Sequence, residues 1–248
     1  MKGAKQILLA GFAALSMVLP ACQSTRSTFV ENVEAPNLVV SSTPLDTVSY
    51  TADYTQDGGL PFTCEVKLGT DGRIRRDYVW KDEKGAEKKA SVVFDGKKTV
   101  KLDDGKSSVV EDVDVAKARF FAGLILAPGK VVSNASRKKE TVVFPEADGK
   151  PCDAYVLELA GVPDIESTLV AVEPETGRWL VLFVRMGDDP NTVFTSKFQE
   201  YKSESGVTYP SRIVSTTDGG APVTCTIRDV KINPELPDEL FRLAEPNG

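Results

Sequence analysis

Histidine is absent from the 248 residues of this sequence. Its absence excludes Ser-His-Asp and Cys-His catalysis, and it excludes the zinc sites that depend on histidine ligands. Cysteine is scarce: the four cysteines are far apart and form no Cys-x-x-Cys pair, so neither a cysteine metal site nor a thioredoxin-like motif is predicted. The carboxylates, lysines and tyrosines form no recognisable catalytic pairing. We therefore expect a protein that is not an enzyme and that uses no metal or cofactor.

Positive charge is also in short supply. The chain has 30 Lys and Arg residues against 36 Asp and Glu residues, which gives a formal net charge of −6. An acidic surface is repelled by nucleic-acid phosphates and by anionic lipid headgroups. Nucleic acid is therefore not an expected partner, and attachment to a membrane has to come from covalently bound acyl chains.

The most apolar stretch, 7–19, is shorter than the roughly 20 residues that a membrane-spanning helix needs. It follows Lys2 and Lys5 and has the length of a signal-peptide core. The tetrapeptide 19–22, LPAC, ends this stretch and resembles the bacterial lipobox, in which the cysteine receives lipid and becomes the new N-terminus. The pattern predicts an exported lipoprotein.

We accordingly predict a signal peptide over 1–21 and lipidation at Cys22. The alternative is an ordinary secretory signal that is cut nearby and leaves Cys22 free or removed. Gln23 is compatible with the outer membrane, because the familiar signal for inner-membrane retention is an aspartate at this position. The expected location is the bacterial cell envelope, with a lipid anchor in the outer membrane and the protein facing the periplasm. The polar segment 22–44 is predicted to be the lipidated tether.

The remaining residues, 45–248, carry the pattern of a mainly β domain. Val48, Tyr50, Ala52 and Tyr54 alternate with polar residues, as in strands with one buried face. Asp-Gly pairs recur between such runs and favour type I′ turns. These pairs occur at 57–58, 71–72, 95–96, 104–105, 148–149 and 218–219. The pattern predicts an antiparallel meander that forms a strongly curved sheet or an incomplete barrel.

Three segments depart from simple alternation. Residues 113–126 have apolar side chains at helical spacing, which predicts one apolar helix that plugs or covers the concave face of the sheet. Residues 178–184, RWLVLFV, are apolar at every position after the arginine, which predicts either cover on both faces of that strand or one apolar face that lines a cavity. A change of parity near Arg228-Asp229 predicts a β-bulge.

Several large apolar side chains are candidates for lining a cavity that holds an acyl chain. The alternative is that they are simply the core, and periodicity does not separate the two interpretations. These candidates are Trp80, Phe94, Phe120, Phe121, Leu124, Trp179 and Phe183.

The cysteines of the mature domain are Cys64, Cys152 and Cys225. Because their number is odd, at least one thiol stays unpaired within the chain. Cys64 and Cys225 each share a face with apolar neighbours, so both are expected to be buried. They form a bridge only if their strands meet; otherwise they are two buried free thiols, and the sequence leaves the pairing open.

Three segments resemble the outer-membrane lipoprotein carrier and receptor superfamily, the LolA-like and LolB-like proteins. They are 92–98 (VVFDGKK), 201–214 (YKSESGVTYPSRIV) and 230–243 (VKINPELPDELFRL). The resemblance implies an incomplete antiparallel barrel, closed on one side by helices, with an apolar cavity for lipid acyl chains.

Two functions are consistent with these features. The first is a membrane-anchored module that binds acyl chains or another elongated apolar ligand, with lipoprotein or lipid sorting as the process that the resemblance implies. The second is a structural envelope lipoprotein with a filled core and no ligand, which acts through protein contacts. A filled interior together with an exposed apolar patch elsewhere would indicate the second.

Overall fold

The chain folds into one large antiparallel sheet in a computed structural model, which describes residues 29–30, 33–42, 44–69, 71–103, 106–109, 132–159, 165–186, 193–217 and 220–243. The signal peptide, Cys22 and the helix predicted over 113–126, with Phe120, Phe121 and Leu124, lie outside these residues. The strands are β1 (Phe29–Val30), β2 (Val40–Ser41), β3 (Thr47–Gln56), β4 (Phe62–Gly69), β5 (Ile74–Lys81), β6 (Glu87–Phe94), β7 (Thr99–Asp103), β8 (Lys106–Val109), β9 (Val132–Lys138), β10 (Val142–Val143), β11 (Pro151–Leu159), β12 (Ile165–Val172), β13 (Trp179–Met186), β14 (Val193–Glu204), β15 (Val207–Thr216) and β16 (Val223–Ile232).

The strand order is β1-β9-β11-β12-β13-β14-β15-β16-β3-β4-β5-β6-β7-β8, while β10 pairs with β11 and β2 pairs with β15. Two meanders, β3 to β8 and β11 to β16, are joined where β16 lies beside β3. Within the described residues, β1 and β8 end the sheet without pairing with each other, so the sheet does not close. The predicted incomplete antiparallel barrel is confirmed. The helical elements of the described ranges are two 3-10 turns, Pro145–Ala147 and Asp238–Phe241.

The period-two alternation gives the sheet two chemically different faces. Paired residues on neighbouring strands share a face, and Tyr50, Val66 and Arg76 lie in one row across β3, β4 and β5. We call the face that carries this row the inner face and the opposite one the outer face. On the inner face, Cys64 and Leu68 are buried beside Val66, as the alternation predicted.

Strand β13 is buried on both sides, which confirms cover on both faces, the first of the two interpretations of 178–184. Trp179 and Leu182 belong to the large inner-face cluster, which also contains Leu157, Val170 and Phe198. Phe183 belongs to an outer-face cluster, which the 3-10 turn Pro145–Ala147 covers. Trp179 and Phe183 have the same parity in sequence, yet a register shift between β12 and β13 places them on opposite faces.

The predicted bulge in β16 is confirmed. The pairing of β16 with β3 shifts between Arg228 and Lys231, and Asp229 has a φ of 53°. An extra residue in one strand exchanges the faces of the residues that follow. Val230 and Ile232 thereby return to the inner face, where Ile227 also lies.

The Asp-Gly turns agree with the prediction only in part: Asp148 and Gly149 both have positive φ, at 56° and 69°, as a type I′ turn requires, and the pairs 104–105 and 218–219 lie outside the described residues. At 57–58, 71–72 and 95–96 only the glycine has positive φ, so these are not type I′ turns. Two of their aspartates form Asx turns instead: the Asp71 carboxylate accepts a hydrogen bond from the N–H of Arg73 at 3.0 Å, and that of Asp95 accepts hydrogen bonds from the N–H groups of Lys97 and Lys98, at 2.7 and 2.8 Å. Ser205-Gly206, which joins β14 to β15, has positive φ at both positions.

All three described cysteines are free. Cys64 is buried, as predicted, whereas Cys225 is partly exposed. Strand β3 lies between their strands, with Ala52 opposite Cys64 and Tyr54 opposite Cys225. Two inter-strand spacings separate their backbones by about 9–10 Å, which is beyond the reach of a disulfide.

The segment after β16 fastens the end of the chain to the sheet. Asn233 accepts a hydrogen bond from the N–H of Asp46 at 2.8 Å and donates one to the carbonyl of Pro44 at 3.0 Å. Further along, the buried ring of Phe241 lies 4.7 Å below the guanidinium of Arg73. These contacts give the resemblance motif at 230–243 a structural role in joining the two meanders.

Candidate functional site

Residues 33–42 cross the inner face as an extended segment, which we call the strap. Its backbone is fixed at both ends: the N–H of Val33 bonds the carbonyl of Ala135 at 3.1 Å, and the N–H of Ser42 bonds the carbonyl of Gly206 at 3.2 Å. Leu38 is only 6% exposed and packs in the large inner-face cluster. Part of the segment that was predicted to be a tether, 22–44, therefore packs on the sheet.

An apolar cavity of about 50 Å³ lies between the strap and strands β3, β15 and β16. None of its lining side chains is charged, and its hydroxyl groups come from two tyrosines. The lining residues are Leu38, Val39, Val48, Tyr50, Val207, Tyr209, Pro210, Ile213, Ile227, Val230 and Ile232. Because a buried water needs polar partners, a cavity with this lining favours an apolar occupant.

Local features of the sequence build this lining. Alternation points Val48 and Tyr50 inward from β3, and the bulge at Asp229 returns Val230 and Ile232 to the inner face. The candidates from the sequence include none of these residues, because they are six aromatic side chains and Leu124, whereas this lining is mostly aliphatic. The parity change in β16 was the signal that could have identified Val230 and Ile232.

The described aromatic candidates lie elsewhere. Trp179 is fully buried, and its ring meets that of Phe198 edge-on, with centroids 5.9 Å apart. Phe94 is buried on the inner face among Cys64 and its neighbours, and Trp80 is partly exposed on β5. Phe183 lies on the outer face, so it does not line a cavity together with Trp179. Phe120, Phe121 and Leu124 lie outside the described residues.

One cation, Arg76, stands among the aromatic residues of the inner face. Tyr50, Tyr54 and Tyr78 surround it. Burial lowers the pKa of the Arg76 guanidinium, whereas Coulombic attraction to Tyr78, Tyr50 and Tyr54, which acts once these phenols ionise at high pH, raises it, and the net shift is upward. The guanidinium is therefore charged at neutral pH. Burial raises the pKa of Tyr50 and of Tyr54, so at neutral pH both phenols are uncharged and leave the positive charge of Arg76 uncompensated.

Burial also makes the thiols near this group unreactive. It raises the pKa of Cys64 to about 12 and that of Cys225 to about 11. The thiolate is the nucleophilic form, so neither cysteine is activated at neutral pH. Within the described ranges no group of three or more Cys, Asp or Glu side chains is placed to hold a metal.

A second cavity, of about 460 Å³, lies beside β13 and β14. Both acidic and basic side chains line it, so it offers neither a wholly apolar wall nor a field of one sign. Its charged lining residues are Glu146, Asp148, Lys150, Glu173, Arg178, Lys197 and Glu200. This cavity is unsuited to an acyl chain.

No helix in the described part of the chain is long and apolar enough to cross a bilayer.

Comparison with solved structures identifies proteins of similar fold. No protein-family profile matches the sequence, and no curated protein matches it. A LolA superfamily protein from Nitrosomonas europaea matches over 81% of this chain and 92% of its own, with a TM-score of 0.55 at 15% identity.

Two further solved structures match over the same share of this chain. A protein domain from Vibrio parahaemolyticus, described as outer membrane lipoprotein-sorting, gives a TM-score of 0.54 at 9% identity over 91% of its length. A DUF1329 family protein from Desulfovibrio piger gives 0.57 at 11% identity over 91% of its length. The resemblance predicted from the sequence is thus confirmed for the fold.

Proposed function

We propose that this protein binds an acyl chain, or another elongated apolar ligand, on the inner face of its sheet. The observation that carries the proposal is the uncharged cavity between the strap and β3, β15 and β16. Apolar burial is worth about 25 cal/mol per Å² and requires no specific polar contact, so it suits a flexible hydrocarbon. We further propose that the protein is not an enzyme.

The strap supplies a mechanism for uptake and release. A cavity of about 50 Å³ is well below the roughly 300–1,000 Å³ of common ligand pockets, so an entering chain has to displace apolar side chains. Leu38 and Val39 are the strap residues that line the cavity. When the methylene groups of a ligand replace Leu38 and Val39 in these contacts, the apolar area that is buried on the sheet stays almost the same. A near-neutral exchange of this kind suits a carrier, which must both bind and release.

The process we propose is lipoprotein or lipid sorting in the bacterial envelope, with the protein anchored through lipid on Cys22 and facing the periplasm. Two features support this assignment. One solved structure with the same fold is described as an outer membrane lipoprotein-sorting domain. The sequence 19–22, LPAC, resembles a lipobox.

A second candidate function is structural. The small volume of the cavity and the full burial of Trp179, Val170 and Val181 favour a filled core without a ligand. In that case the protein acts through contacts with other envelope proteins, and the strap is a permanent part of the core.

Lipid extraction and titration separate the two functions. Mass spectrometry of an extract of the purified protein, together with titration of a fluorescent fatty acid, should reveal saturable acyl binding. Val230→Glu places a charge in the cavity wall and should abolish that binding. The matched control is Val143→Glu on β10, where Val143 is 60% exposed, and binding should persist. Absence of saturable binding in the parent protein, or equal effects of both substitutions, would refute the acyl-binding function.

A further inference from the structure

Arg76 lies on the inner face of β5 between uncharged side chains of the neighbouring strands. Its register partners are Val66 on β4 and Val92 on β6, and Tyr50 lies opposite Val66 on β3. The side chain is partly buried. A guanidinium in apolar surroundings is costly unless an anion or hydrogen-bond acceptors compensate the charge.

The neighbouring arginines of the same strand region have carboxylate partners, and Arg76 has none among the described residues. Arg73 pairs with Asp238 at 2.7 Å, and Arg75 pairs with Asp77 at 2.8 Å. The acidic partners in these two pairs, Asp238 and Asp77, lie outside the inner face and do not pair with Arg76. The uncharged phenols of Tyr78, Tyr50 and Tyr54 are its polar neighbours within the described ranges, and Tyr78 hydrogen-bonds with it. The guanidinium N–H groups of Arg76 therefore have no carboxylate partner among the described residues, and they can bind the anion of a ligand.

The surrounding charges strengthen the attraction for an anion. Lys101 lies opposite Val92 on the inner face, next along the row from Arg76, although Asp103 neutralises it at 2.9 Å. Lys88 lies opposite Trp80 on the same face and forms no ion pair with a described residue. The inner face of β3 to β7 therefore carries more positive than negative charge, against the negative balance of the whole chain.

Tyr50 joins Arg76 to the apolar cavity. It lines that cavity, and it is also one of the phenols that interact with the guanidinium. Two inter-strand spacings place the backbones of Tyr50 and Arg76 about 9–10 Å apart. A ligand that crosses Tyr50 can therefore contact both the cation and the hydrocarbon wall.

We propose that Arg76 binds the anionic head of a single amphiphile, with Tyr50 and Tyr78 beside it, while the acyl chain of that amphiphile enters the apolar cavity. This inference rests on the acyl-binding function proposed above and adds the class of ligand: a chain with a carboxylate or phosphate head. A guanidinium matches both heads, because its planar fork donates two parallel hydrogen bonds to paired oxygens.

The test compares ligands that share a chain and differ in the head. Palmitate, hexadecyl phosphate and the uncharged methyl palmitate are titrated against the full-length protein and against Arg76→Gln. The parent protein should bind the two anionic ligands about tenfold to a hundredfold more tightly than the ester, which is the range for a charge-assisted hydrogen bond. In Arg76→Gln their affinity should fall to that of the ester, with ester binding unchanged. The relative affinities of the two anions identify the head.

The matched control is Arg212→Gln, which removes a guanidinium beside Glu200, 3.5 Å away at the surface, and should change no affinity. If Arg76→Gln does not fold, Arg76→Lys decides, because lysine keeps the charge without the planar fork; anion affinity should then fall severalfold while ester affinity stays.

Equal binding of anions and ester by the parent protein, or equal weakening of both in an Arg76 variant, would overturn the assignment of the head while leaving acyl binding intact. Failure of all three ligands to bind would refute the acyl-binding function itself.

Discussion

The strap offers a sharp test of how the inner face is covered. Leu38→Ala removes three carbon atoms from a side chain that is 6% exposed. At about 0.8 kcal/mol for each buried carbon, the lost transfer free energy is roughly 2.4 kcal/mol. A residual cavity adds about 24 cal/mol per Å³, but the strap is a single extended segment and can settle toward the sheet. We therefore expect a loss of about 2–3 kcal/mol in the free energy of unfolding.

Urea unfolding of the parent protein and the variant, followed by tryptophan fluorescence, measures this loss. Leu60→Ala is the matched control, because Leu60 is 40% exposed in the turn between β3 and β4. A surface substitution of this kind should change stability by no more than about 0.5 kcal/mol. If the two variants lose the same small amount, Leu38 is not packed, and 33–42 is part of a tether as the composition first indicated.

The same variant also tests the exchange mechanism. In Leu38→Ala the space vacated by the leucine is open to hydrocarbon, so a fluorescent fatty acid should bind at least as tightly as it binds the parent protein. A fatty acid should then restore part of the lost stability, because a ligand that binds only the folded state raises the free energy of unfolding. Weaker binding in Leu38→Ala would indicate that Leu38 contacts the ligand and is not displaced by it.

Three further predictions concern other parts of the molecule. Phe241→Ala should lower the free energy of unfolding in urea by about 3–5 kcal/mol, because this buried ring packs under Arg73 and fastens the end of the chain to the sheet; a loss below about 1 kcal/mol would contradict that role. Burial is the largest single influence on Asp77 and raises its pKa, but hydrogen bonds from Arg75 and Ser91 and the charges of Arg75 and Lys67 together outweigh burial and lower the carboxyl pKa below its usual 3.8. The resulting stability is present above that value and lost as pH falls through the folded pKa. Acid titration of Asp77→Asn should show a smaller loss than that of the parent protein. Cys22→Ser should abolish lipid attachment, and unchanged membrane fractionation of this variant would contradict the lipobox prediction.

Much of the local structure follows from the sequence alone. Alternation predicted the faces of β3 and β4, and the parity change near Arg228 predicted the bulge. The continuous apolar run indicated cover on both sides of β13 as one of two interpretations. These features depend on neighbours within a few residues. Because successive side chains of a strand point to opposite faces, the spacing of apolar residues in the sequence shows which face each one occupies. The same alternation places Arg76 on the inner face between Ile74 and Tyr78. The lack of a carboxylate partner for Arg76 among the described residues, however, depends on the neighbouring strands.

The tertiary structure decided the rest. Trp179 and Phe183 share a parity in sequence, but a register shift against β12 puts them on opposite faces, and no residue in β13 announces that shift. The composition of 33–42 predicts a tether, because its few apolar residues have no period; Leu38 belongs to the core because hydrogen bonds to β15 and β9 hold this segment on the sheet. The cavity forms where β16 meets β3, two strands from opposite ends of the chain. Such a contact is fixed by packing of the whole sheet, and the local β-propensity of the two segments does not predict it.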